Sequence, residues 1–184
     1  MSMHIQRAHL RTSVPTRHLQ VFRSADFCAI AGVNEGDPLT DASDLAFEDV
    51  YALAEPAAPV RLGLATDSGS GGGPFLVSRD TGAGRPGAPI FLDSLLTFMG
   101  PAGGAREALV FVEVDAAGTI AEVYLHPLAP LVRKQGYALV TIDRESARAR
   151  LAETARAAFT KGTPITRARG AHCPVDELRP ATMF

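Results

Sequence analysis

Cysteine is nearly absent from this chain: Cys28 and Cys173 lie far apart and belong to no Cys-x-x-Cys pair. That excludes the spacing of a zinc site and of a disulfide framework, and it makes a reducing compartment the default. Also missing is any uninterrupted apolar tract of the roughly 18 residues that a membrane-spanning helix requires. The N-terminus has His and Arg but no apolar run of the kind found in a signal peptide. Membrane insertion and Sec export are therefore not expected, and the cytoplasm is the expected location. Basic charge is absent from one long stretch, since residues 24–55 hold eight acids and no Lys or Arg, whereas residues 1–23 hold four Arg and no acid. Residues 144–169 are basic again. The net charge is only -2, and the basic blocks, with one aromatic residue each, Phe22 and Phe159, lack the aromatic interleaving of a nucleic-acid surface. The blocks are read as surfaces that attract one another within one fold, and no nucleic-acid partner is expected.

What is present is a globular composition, with 46% hydrophobic and 21% charged residues in 184, enough for one main domain plus an appendage. Gly and Pro are concentrated in punctuating runs. Residues 1–18 mix Arg, His, Ser and Pro without period and read as a flexible lead-in, with order starting near Leu19. Short apolar runs follow over 19–22, 27–33, 45–53 and 60–65, separated by turn residues. Two Gly-rich loops, 67–74 and 80–89, flank a brief strand at 75–78, and a longer apolar segment occupies 90–99. The clearest hairpin joins Ala108–Val114 to Thr119–Leu125 through Asp115-Ala116-Ala117-Gly118, and it is expected at the centre of the core. Tyr137–Ile142 is a further strand, Asp143 a candidate N-cap, and Arg144–Ala157 the one helix. Ile165 and Val175, on either side of Ala168-Arg169-Gly170-Ala171, predict a terminal hairpin. The fold class is thus mainly β: a sandwich- or barrel-like antiparallel domain over 19–143, a helix or linker over 144–157, and a hairpin segment over 158–184.

Several motifs bear on chemistry. Gly82-Ala83-Gly84-Arg85-Pro86-Gly87 fits GxGxxG by letter, yet a dinucleotide fingerprint needs a strand leading into a helix, and Pro86 and Pro89 oppose one; no cofactor is expected. Glu35, Asp37, Asp41 and Asp44 could gather calcium ligands, but their spacing is not that of an EF-hand, and a solvated acidic loop is the plainer reading; no metal is expected. His126 beside Pro127 is read as a surface or satisfied histidine. His172 and Cys173 are adjacent, and neighbouring side chains on a strand face opposite ways, which disfavours a nucleophilic pair. Cys28 reads as a small core residue.

The segment Phe159-Thr160-Lys161-Gly162-Thr163-Pro164-Ile165, followed by Pro174-Val175-Asp176-Glu177-Leu178-Arg179-Pro180, resembles the opening of a Hint domain, the fold of hedgehog autoprocessing domains and inteins. The matching positions are Phe159, Gly162, Thr163, Ile165, Pro174, Val175, Leu178, Arg179 and Pro180. More diffusely, 32–37, 49–51 and 124–130 resemble the region preceding the Hint domain in a group of alphaproteobacterial proteins. The resemblance implies an acyl shift begun by a Cys or Ser at the domain's first position. Here Ala155, Arg156, Ala157 and Ala158 occupy that neighbourhood and offer no thiol or hydroxyl. The expectation is a non-catalytic β-domain protein attached to the truncated, degenerate start of a Hint module, with autoprocessing lost. Two alternatives stand beside it: a binding module using the Gly-rich loops 67–74 and 80–89, and an enzyme combining the acids of 35–49 with His126. Oligomerisation through exposed strand edges is a further expectation.

Overall fold

The computed structural model describes residues 16–65, 74–157, 164–166 and 172–174. The chain is mainly β. Among the described residues the strands are β1 (Thr16–Arg23), β2 (Phe27–Ala31), β3 (Val50–Leu53), β4 (Val60–Ala65), β5 (Phe75–Val77), β6 (Pro89–Met99), β7 (Ala105–Val114), β8 (Ile120–Pro127) and β9 (Gly136–Asp143), with one α-helix, α1 (Ala147–Ala157), and a two-stranded ladder of β10 (Pro164–Thr166) and β11 (His172–Pro174). All pairings are antiparallel. Six strands close into a barrel in the order β6-β5-β4-β1-β8-β7, with β7 returning to β6. β6 is long enough to serve two layers: Pro89 and Ile90 pair with β5, while Leu95–Met99 pair with β9, from which β3 and β2 continue.

The hairpin read from Asp-Ala-Ala-Gly sits where expected. Asp115 Oδ1 accepts the amides of Ala117 and Thr119, both at 2.9 Å, and Gly118 takes φ +80°, which closes the turn. β7 is buried on both faces from Ala108 to Val112. Leu109 and Phe111 enter the barrel core with Val21, Leu62, Leu64 and Ile90, a core to which α1 adds Ala147 and Leu151. Ala108, Val110 and Val112 enter a second core with Phe27, Tyr51, Leu53, Phe98 and Tyr137. There Phe27 stacks on Tyr51 at 5.4 Å and meets Phe98 edge-on at 5.5 Å.

Three expectations are corrected at their margins. Strand β1 starts at Thr16, inside the span read as a flexible lead-in, because its ladder with β4 extends to Thr16 opposite Ala65. The apolar run 45–53 is a strand only from Val50. Glu48 has φ +71°, and Asp49, with no exposure, turns inward to accept the Val33 amide at 2.7 Å, the Asn34 amide at 3.4 Å and Asn34 Nδ2 at 2.7 Å. The helix begins at Ala147, because Asp143 Oδ1 accepts the Ser146 amide at 2.9 Å and closes a turn ahead of it. The first helical bond runs from Arg150 N to Ser146 O at 3.0 Å.

The acidic stretch that follows β2 shields a strand edge. Ala29 N donates to Asp37 O at 2.9 Å, Gly36 N to Ala29 O at 2.9 Å, and Leu39 N to Phe27 O at 3.0 Å, so residues 36–39 cover the outer side of β2. Among the described residues, no helix is long and apolar enough to cross a membrane.

Because Asp49 serves three N–H donors from a fully buried position, Asp49→Ala is expected to lower unfolding free energy by about 3 kcal/mol. Urea denaturation followed by circular dichroism measures it; a loss below about 1 kcal/mol would show that the 32–37 turn does not depend on this carboxylate.

Candidate functional site

β1 and β8 form a ladder of two positions, Phe22 with Leu125 and Arg23 with Tyr124. Beyond them β1 continues along β4, while β8 runs on beside β7 as far as Pro127 opposite Ala108. The divergence leaves a groove of about 640 Å³, walled by Gln20, Phe22, Leu53, Pro59 and residues 126–133. Two prolines, Pro127 and Pro130, prevent the far wall from continuing as a regular ladder. That wall is held at three backbone points: Leu128 N donates to Glu107 O at 2.9 Å, Val132 N to Tyr137 Oη at 2.9 Å, and Lys134 N to Leu53 O at 2.8 Å.

Three polar side chains line this mostly apolar groove: Gln20, His126 and Arg133. His126 Nδ1 lies 2.7 Å from the carbonyl of Gln20. A carbonyl can only accept, so Nδ1 carries the proton and Nε2 is left as the acceptor of the neutral ring. Burial pushes the His126 pKa below its ordinary value; the hydrogen bond to Gln20 opposes that shift and nearby Arg17 adds to it. Arg133 donates from Nε at 3.2 Å and from Nη2 at 2.8 Å to the carbonyl of Ala57. No Asp or Glu is among the groove's lining residues.

The acids Glu35, Asp37, Asp41, Asp44 and Asp49 are therefore not brought to His126 in this groove. Asp49 is occupied by the 32–37 turn, Asp41 accepts Ser43 Oγ at 2.5 Å, and the Asp44 carbonyl accepts Asn34 Nδ2 at 3.0 Å. Among the described residues, no three His, Cys, Asp or Glu side chains are grouped as metal ligands. The Gly82–Gly87 stretch leads into strand β6, and its Arg85 amide donates to Glu113 Oε1 at 3.0 Å. A buried carboxylate thus stands where a phosphate-binding loop would present its amides to an anion. Glu113 also accepts Tyr124 Oη at 3.0 Å, and burial followed by Glu113 drives the Tyr124 pKa well above the usual phenol range. Cys28 is half-buried, its Sγ 3.3 Å from Ala25 O, and burial, then Asp26 and Asp37, raise the thiol's pKa.

A second polar hollow by α1 closes on itself. Arg150 bridges Glu107 at 2.8 Å and Glu153 at 2.8 Å, which satisfies its guanidinium within the protein. Loop residues 66–73 and the Hint-like positions Ala158, Phe159, Gly162, Thr163, Val175, Leu178, Arg179 and Pro180 lie outside the described residues. Arg156 is described only as part of α1, Ile165 only as pairing with Cys173, and Pro174 only as pairing with Pro164. Sequence reading singled out His126 but passed over Gln20 and Arg133, whose only local signal is the Pro127 to Pro130 interruption between two strands.

Neither the protein-family models, nor the curated proteins, nor the solved structures compared with this chain give a match.

The depressed pKa of His126 fixes the sign of a pH effect. Below about pH 6.5 the unfolded chain binds this proton more readily than the folded one, so stability falls as pH drops from 6.5 toward the folded value. His126→Gln is expected to flatten that part of the stability profile; identical wild-type and variant slopes in denaturation between pH 7 and pH 5 would contradict the assignment.

Proposed function

We propose that this chain is a non-catalytic β-barrel protein that acts by binding a ligand in the groove between β1 and residues 126–133, and that residues 158–184 derive from the degenerate start of a Hint-like module. The observation that carries the binding reading is the composition of the groove. Its walls are chiefly aliphatic, aromatic and proline side chains, and its histidine is tied to a backbone carbonyl with no carboxylate in the lining to complete an acid–base pair. In the Gly-rich-loop version of this reading, loops 67–74 and 80–89 would be the recognition elements. Thr81, Gly82 and Arg85 instead tie loop 80–89 to Gly63, Arg61 and Glu113, which favours the groove as the place of binding.

The Hint-like part of the proposal is supported by the motif residues Phe159 to Pro180 and by the antiparallel pairing of Ile165 with Cys173. Loss of autoprocessing follows from Arg156 and Ala158, neither of which can attack a carbonyl. Self-association through open strand edges belongs to the same proposal. Among the described residues β10 and β11 pair only with each other, so each keeps one unpaired edge.

Intact mass spectrometry after prolonged incubation with a small thiol is expected to return the uncleaved chain, and a fragment beginning near Phe159 would overturn the non-catalytic reading. Light scattering at high protein concentration is expected to give a mass above that of the monomer. A monomer throughout would remove the edge-pairing element alone.

A further inference from the structure

The groove combines apolar walls with the basic charge of Arg133, which has no counter-ion among the described residues. Arg133 spends Nε and one Nη2 hydrogen on Ala57 O, which fixes the guanidinium plane and leaves the Nη1 donors available. It forms no ion pair among the described residues, in contrast with Arg61, Lys134 and Arg150. Arg17, close enough to disfavour protonation of His126, donates to Thr154 Oγ1 at 2.5 Å and also has no carboxylate partner among the described residues. A planar cation held in place beside an apolar surface is suited to a carboxylate, which it can meet with parallel N–H donors. Phe22, Leu53, Pro59, Leu128 and Leu131 offer that surface, and about 640 Å³ is within the range of pockets that enclose a small organic ligand.

We infer that the groove is a site for a small apolar monocarboxylate, its carboxylate on Arg133 and its hydrocarbon body along Phe22 and Leu128. This rests on the binding reading above and adds the charge and chemical class of the ligand. A dicarboxylate is disfavoured by the apolar walls, which would leave its second charge unsolvated. An apolar cation is disfavoured by the charge of Arg133 in the lining.

Octanoate and 1-octanol share a chain and differ in the charged head, so titrating each into the full chain and following backbone amide NMR shifts separates the two layers of the claim. Octanoate is expected to shift the amides of residues 126–133 and to bind at least about tenfold more tightly than 1-octanol. In Arg133→Met that advantage should collapse toward unity, and Arg133→Lys should retain part of it. Equal affinity of the wild type for both ligands overturns the carboxylate inference and leaves the groove reading standing. Failure of both to bind overturns the groove reading as well. Should Arg133→Met fail to fold, the wild-type comparison at low and high salt decides, since only the charged ligand should weaken on screening.

Discussion

Burial of β7 on both faces is the constraint from which the rest of the architecture follows. A strand with Leu109 and Phe111 in one core and Val110 and Val112 in another needs cover on each side. Closure of six strands supplies the first cover, and the β9-β3-β2 extension supplies the second. The bulge in β6 between Leu92 and Ser94 makes this sharing possible. Ile90 and Leu95 both face the barrel core although five positions apart, and Leu96 and Phe98 face the other core. An uninterrupted pleat could not place both pairs so, because each one-residue step reverses the face.

Local sequence was a good guide wherever the determinant was local. The β7 to β8 hairpin was legible because Asp115 and Gly118 satisfy and close the turn within a few residues. The helix was legible in its body, where Ala147 and Leu151 recur at helical spacing, and misjudged at its start, where Asp143 can cap a turn as readily as a helix. Asp49 lay beyond such reading. Its partners are 15 and 16 positions earlier, and nothing in Phe47-Glu48-Asp49-Val50 signals that the aspartate is fully buried.

The groove was illegible for the same reason on a larger scale. It draws Gln20 and Phe22 from β1, Leu53 from β3, Pro59 from a turn, and the remainder from residues 126–133. No window of the sequence contains it. His126 carried the one visible hint, and the acceptor that fixes its tautomer is a carbonyl 106 positions away. The Gly82–Gly87 stretch makes the converse point, since a motif conspicuous by letter proves to be a turn tied down by Glu113. Its glycines serve geometry: Gly84 at φ +81° lies so close to Glu113 and Val77 that a Cβ would come within 3.2 Å of each.

The short ladders of the ring have a dynamic consequence. β6 and β7 are zipped along nearly their whole length, whereas β1 with β8, β4 with β5 and β5 with β6 each pair at two positions. Free energies of local opening follow the number of bonds and contacts that must be released together, so the barrel's thermal breathing concentrates at these short ladders while the β6–β7 ladder stays shut. One of them, β1 with β8, borders the groove through Phe22, and the bond from His126 Nδ1 to Gln20 O adds a side-chain tie there. The groove thus lies against one of the yielding seams of the ring, and the hollow can widen or narrow without the β6–β7 ladder coming apart.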